Sequence, residues 1–285
     1  MRKVKWKDYS EGDSVWLCFP FVGQRIKRVH TFDGHMDDFF LKGKTKRGSS
    51  PFIDLTGDGV PELIVAHNVG NGGNRYWIYS LGKTGKEITS HRAVRSDMEF
   101  MDIDSDGKFE ALACDTTFYG WETCNACSPM PLVVLHLKGR EFKLAPEFMK
   151  AKPPSKKMET KMLSEWKEYC EAQFTSGSYG EKPVPSAKHP FYLAPKVWGD
   201  MLDLIHSGNS KTALRLLDKF WPDSQYADNL ENGPECTDVI HTSKQKFKSM
   251  FLKQLSYSPY LNDLKKLNAE DICMKSLRPL KRTNK

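Results

Sequence analysis

From position 15 to about 145 the apolar residues come in short runs broken by Gly, Asp and Asn, which is the punctuation of strands and turns. Strands are expected at 15–21, 62–67, 76–81, 100–103, 110–114 and 132–137, the last turning through Lys138-Gly139-Arg140 into 141–144 as a hairpin. Past Lys150 the period changes. Residues 152–157 are rich in Lys and Pro and suit a linker, and beyond them Met162, Trp166, Tyr169, Cys170 and Gln173 recur at three- and four-residue spacing, one face of a helix. A polar, Pro-rich stretch at 175–190 is expected to be a loop. A helical hairpin follows, 195–205 and 210–220, with Val197, Met201, Leu202, Ile205, Ala213, Leu214, Leu216, Leu217 and Phe220 inward and Ser207-Gly208-Asn209 as its turn. Two further short helices are expected at 243–255 and 259–267.

The fold class so read is α+β: an N-terminal antiparallel β domain, propeller-like in part or a sandwich, with metal loops, then a C-terminal α-helical domain. The expected organisation is a β-rich domain at 1–150, a helix with a Pro/Gly/Ser-rich linker at 151–190, and a helical domain with a basic tail at 191–285.

Two segments share one pattern. Asp54-Leu55-Thr56-Gly57-Asp58-Gly59-Val60-Pro61-Glu62 and Asp102-Ile103-Asp104-Ser105-Asp106-Gly107-Lys108-Phe109-Glu110 each place oxygen side chains at positions 1, 3 and 5, glycine at 6 and a carboxylate at 9. Calcium takes six to eight oxygen ligands, and alternate oxygens on a tight loop can converge on one centre. Position 7, Val60 or Lys108, is expected to offer its backbone carbonyl, and glycine at 6 permits the sharp turn. An EF-hand needs flanking helices and Glu at position 12, where this chain has Val65 and Ala113, so that motif is excluded.

With β-like flanks and a 48-residue offset between the loops, residues 45–115 resemble the FG-GAP or VCBS-type repeat, a calcium-loop β repeat often found as propeller blades in secreted or surface proteins. That resemblance implies ligands Asp54, Thr56, Asp58 and Glu62 in the first loop and Asp102, Asp104, Asp106 and Glu110 in the second. With Thr56 in place of a carboxylate, the first loop is expected to bind more weakly. A closed propeller takes four to eight blades and only two loops are visible.

Charge and cysteine content change this picture little. The net charge of +7 is spread over the first 47 residues, 138–167 and the tail 275–285, which suits solvated faces better than a nucleic-acid surface. No apolar run is long enough to cross a bilayer. Basic Met1–Trp6 begins like an export signal, but Lys7, Asp8, Glu11 and Asp13 stand where the apolar stretch belongs. Periplasmic or extracellular placement is expected from the calcium loops, with the leader absent from this chain; the cytoplasm is the alternative.

Seven cysteines cannot all pair within the chain. Cys124-x-x-Cys127, with Cys114 nearby, suits a disulfide in an exported protein, with zinc or redox chemistry as alternatives that His136 or Cys114 would complete. No Gly-x-Ser-x-Gly or His-Glu-x-x-His frame is present, and His67, His91, His189 and His206 suit surface or satisfied core positions. Asn71-Gly72-Gly73-Asn74 suits a hairpin turn. The expected function is a calcium-stabilised, non-enzymatic protein-recognition module of the cell envelope or exterior. A hydrolase with a site between the β and α domains, and an inhibitor or immunity-type protein, are the alternatives.

Overall fold

The computed structural model describes residues 14–19, 27–33, 39–41, 44–45, 48–49, 52–68, 73–81, 86–94, 96–172, 193–221, 244–269 and 271–280. The expected 175–190 loop, Gln173, His189 and the end of the basic tail lie outside them. The strands are β1 (Ser14–Phe19), β2 (Lys27–Asp33), β3 (Phe39–Leu41), β4 (Lys44–Thr45), β5 (Gly48–Ser49), β6 (Phe52–Ile53), β7 (Glu62–Asn68), β8 (Asn74–Ser80), β9 (Glu87–Ala93), β10 (Glu99–Met101), β11 (Glu110–Cys114), β12 (Leu132–Lys138) and β13 (Glu141–Leu144). Helices α1 (Pro146–Met149), α2 (Lys156–Ala172), α3 (Pro195–His206), α4 (Ser210–Phe220), α5 (Lys244–Leu255), α6 (Leu261–Leu267) and α7 (Ile272–Ser276) follow. The chain is thus α+β, with two larger antiparallel sheets and, among the described residues, seven α-helices.

One sheet has the order β3-β7-β8-β9 with β6 also on β7; the other has the order β10-β11-β12-β13; β1–β2 and β4–β5 are two-stranded pairs. Strands β7 and β8 are antiparallel from Glu62↔Ser80 to Asn68↔Asn74; the expected turn residues Asn71 and Gly72 lie outside the described residues. Leu63 to Ala66 and Tyr76 to Tyr79 are buried at every position, because these strands carry apolar side chains on both faces. Leu63, Val65, Trp77 and Tyr79 form one packed cluster with Phe52 and Leu81 against it. Strand β9, Glu-Ile-Thr-Ser-His-Arg-Ala, escapes the hydrophobic reading because it ends the sheet order, where half-exposed polar side chains are tolerated.

Contacts divide the chain into two units, Met1–Ala113 with Leu135–Lys143, and Cys114–Val134 with Leu144–Lys285. In the second unit Ser155 caps α2 by accepting the Met158 N–H, which sets the start of that helix inside the expected linker. Trp166 and Cys170 are buried on α2 as the period requires, but Tyr169 is 48% exposed. Its position, one residue from Cys170, turns it 100° off the buried stripe, so the expectation for Tyr169 is corrected.

The α3–α4 hairpin forms as its pattern dictates. All four expected α3 residues are fully buried, and Gly208 takes φ +81° in the turn. Asn268 and Asp271 lock that turn from outside it: Ser210 N–H donates to Asn268 Oδ1 at 2.9 Å, Asn268 Nδ2 donates to Ile205 O at 2.8 Å, and the Ser210 hydroxyl donates to Asp271 Oδ2 at 2.6 Å. Around Trp121 the core of this unit is aromatic, with Phe118 and Trp198 edge-on at 5.0 and 5.6 Å and Phe247 and Phe251 close by.

Candidate metal centre

Each loop is the connection of an antiparallel hairpin. Ile53 pairs with Glu62 across β6–β7, and Met101 pairs with Glu110 across β10–β11, so in both the residue before position 1 faces position 9. The backbone takes the same path through each. Positions 4 and 6 are both left-handed: Gly57 and Gly59 at φ +73° and +80°, Ser105 and Gly107 at +68° and +91°. Position 6 was legible as glycine; position 4 was not, because Ser105 hides the requirement that Gly57 meets.

Three hydrogen bonds recur at equivalent positions. The position 2 N–H donates to the position 9 carboxylate, Leu55 to Glu62 at 2.7 Å and Ile103 to Glu110 at 3.0 Å. The position 6 N–H donates to the position 1 carboxylate, Gly59 to Asp54 at 2.8 Å and Gly107 to Asp102 at 3.3 Å. The position 7 N–H donates to the position 5 carboxylate, Val60 to Asp58 and Lys108 to Asp106, both at 2.8 Å. Two separate stretches of sequence therefore build one loop design. They also touch: Phe109 N–H donates to Asp54 O at 3.0 Å, and the Lys108 stem crosses Gly57 so closely that a Cβ there would meet it at 2.7 Å.

What remains available to a ligand differs between them. In the first loop Asp54 accepts on both oxygens, Gly57 N–H at 2.6 Å on Oδ1 and Gly59 N–H on Oδ2, while the Thr56 amide and hydroxyl both donate to Glu62. In the second, Asp102 Oδ1 is buried and has no hydrogen-bond partner among the described residues. One carboxylate oxygen from each of Asp102, Asp104 and Asp106 lies within 4.8 Å of the others, a convergence that Asp54, Asp58 and Glu62 do not make. Oxygens about 2.3–2.6 Å from one cation stand no more than about 5 Å apart, so the triad could hold a single metal ion, and an all-oxygen set suits a hard cation rather than a soft metal. A buried carboxylate oxygen with no donor carries the full cost of its lost hydration, which a cation removes.

Glu62 and Glu110, at position 9 of each loop, are almost fully buried. Burial raises the Glu62 carboxyl above its ordinary range, opposed by the Leu55 and Thr56 donors. Burial likewise raises Glu110, against the Ile103 N–H and His136, whose Nδ1 stands 3.6 Å from Oε1; Asp104 and Asp106 add to the rise. Val60 and Lys108 turn their side chains to solvent, and Lys108 Nζ lies 3.6 Å from Asp106 Oδ2.

Of the cysteines, Cys124 and Cys127 stand at disulfide distance with Cα atoms 5.2 Å apart, and Cys114 is half-buried outside that pair. His67 stacks on Trp77, and His91 lies edge-on to Phe142.

One buried constellation carried no sequence signal. Asp115 Oδ2 accepts from the Ser258 hydroxyl at 2.7 Å and faces His206 Nε2 at 3.1 Å, while Oδ1 accepts the Thr117 N–H at 2.9 Å and the Thr117 hydroxyl. His206 Nδ1 faces Leu202 O at 2.8 Å. Serine and histidine both address the aspartate rather than each other, and all three are buried, so the group ties segments together and does not form the nucleophile-to-base relay of a hydrolase. Residues 91 and 143 positions apart in sequence meet here, beyond the reach of any spacing rule.

No described helix is long and apolar enough to cross a membrane. Comparison with family models, with curated proteins and with solved structures gives no match for this chain.

Proposed function

We propose that the 102–110 loop binds calcium through Asp102, Asp104 and Asp106, and that the 54–62 loop is a weaker or purely structural copy. On this reading the two hairpins are FG-GAP or VCBS-type repeats in a propeller-like or sandwich arrangement. They brace a non-enzymatic protein-recognition module that works in the cell envelope or outside the cell. The observation that carries it is the buried, donor-free Asp102 Oδ1 beside two further carboxylates on a loop whose geometry the chain builds twice. Calcium there supplies positive charge to close the loop; Lys108 and Glu110 are the residues set to offer a backbone carbonyl and a supporting carboxylate. Extracellular calcium modules work at about 10⁻⁴–10⁻³ M, a range met outside the cytoplasm.

Thermal unfolding of the full chain in calcium and in chelator tests the metal reading. Stabilisation should grow with the logarithm of free calcium once the site saturates, and identical melting curves would sink it. For the recognition reading, the probe is a protein partner retained with calcium and released by chelator.

A further inference from the structure

The Cys124–Cys127 pair is built unlike a staple. It joins residues only three apart, so it removes little entropy from the unfolded chain. Its segment is already held without it. Cys127 N–H donates to Cys124 O at 3.1 Å, the Ser128 hydroxyl donates to the same carbonyl at 3.0 Å, Gly120 N–H donates to Ser128 Oγ at 2.8 Å, and Trp121 anchors the segment in the aromatic core. Both cysteines are nevertheless exposed, which is the condition for reaction with an external thiol.

The two sulfurs are not equivalent. Cys124 Sγ accepts the Cys127 backbone N–H at 3.2 Å, a donor that stays beside it when the bond breaks and favours its thiolate. Cys127 lines a 260 Å³ pocket whose wall includes Lys196, Asp200 and Asp203. Asp200 accepts from the Trp166 indole N–H and from Lys196, and with Asp203 beside them two carboxylates face one ammonium, which makes the pocket acidic.

We propose that Cys124–Cys127 is a thiol–disulfide exchange site in which an incoming neutral or cationic thiol, seated beside Cys127, attacks Cys127 Sγ and releases Cys124 as the thiolate. The new bond joins the thiol sulfur to Cys127 and the bond broken is Cys124–Cys127. A second equivalent of thiol then attacks the mixed disulfide. Two external thiols are oxidised to one disulfide, the protein pair is reduced to two cysteines, and the two thiol protons end on those cysteines. This does not depend on the calcium reading.

The test uses the oxidised full chain, dithiothreitol as reductant, alkylation and peptide mass mapping. Cys124 and Cys127 should become labelled while the circular dichroism stays native, and oxidised glutathione should reverse it; labelling only under unfolding conditions overturns the proposal. With limiting iodoacetamide, reduced Cys124 should label before Cys127, and the opposite order overturns the assignment of the leaving sulfur. In Cys124→Ser, cystamine should leave one cysteamine as a mixed disulfide on the Cys127 thiol and release the other as free thiol, and absence of that adduct on the folded chain counts against exchange at that sulfur. Cysteamine should reduce the pair several-fold faster than mercaptoethanesulfonate, each normalised to a small reference disulfide, and Asp203→Asn should erase that ratio. A ratio near one in the native sequence removes the acidic pocket from the proposal.

Discussion

Replacing Asp115 by alanine removes the acceptor at the centre of the second unit and leaves three sets of donors facing a void. The Thr117 amide and hydroxyl, the Ser258 hydroxyl and His206 Nε2 all lose their partner where water has little access. Breaking a buried pair by removing one member costs about 3–5 kcal/mol, and each stranded neutral donor about 1–3 kcal/mol; partial relaxation keeps these from adding in full. We expect a loss of about 4 kcal/mol, equivalent to roughly 8–16 °C in melting temperature for a unit of this size. Every described α-helix lies in the second unit, so circular dichroism at the helical band reads its unfolding directly. Ser258→Ala, which removes one donor to Asp115 and the acceptor of the Tyr260 N–H, should cost less, about 1–2 kcal/mol. The pH dependence has a fixed sign. Burial raises the Asp115 carboxyl, but the His206 hydrogen bond and charge, with Thr117 and Ser258, outweigh it and hold the group below its ordinary 3.8. Its stabilisation is therefore complete above that value and is lost as the pH falls from there through the folded-state value. A loss under about 1 kcal/mol for Asp115→Ala, or an acid limb unchanged in the variant, would refute the reasoning.

Three further outcomes follow from the geometry. Gly208→Ala should destabilise the second unit by about 1–2 kcal/mol in urea unfolding, because φ +81° disfavours a side chain and its Cβ would press on Leu267 O at 3.2 Å. Ser105→Gly should raise the stability of the first unit by up to about 1 kcal/mol by relieving a left-handed serine, measured in chelator so that metal does not contribute. Asp102→Asn should abolish the calcium-dependent rise in melting temperature, whereas Asp54→Asn, whose parent carboxylate already accepts two backbone N–H groups, should leave most of it.

The elements with strong periodic patterns were legible: β7, β8, β11, β12 and the α3–α4 hairpin all carry runs or stripes whose period decides their type. Strand β9 and the short β3 to β6 were not, since polar strands and strands of two or three residues are defined by the partner they pair with and not by their own residues. Both oxygen-rich loops were visible from residue spacing alone, but the distinction between them was not. It arises from which carboxylate oxygens are occupied: the Gly57 N–H donates to Asp54 Oδ1, whereas Asp102 Oδ1 has no partner among the described residues. The contact between the loops through Phe109 and Lys108, and the Asp115 knot, join distant segments and leave no local trace.

The central claim is that Asp102, Asp104 and Asp106 hold one calcium ion, and crystals of the full chain grown in calcium test it by anomalous scattering. One peak is expected, about 2.3–2.6 Å from Asp102 Oδ1 and from an oxygen of each of Asp104 and Asp106, lost on soaking with chelator. A well-ordered 102–110 loop with no peak there, in saturating calcium, would contradict it.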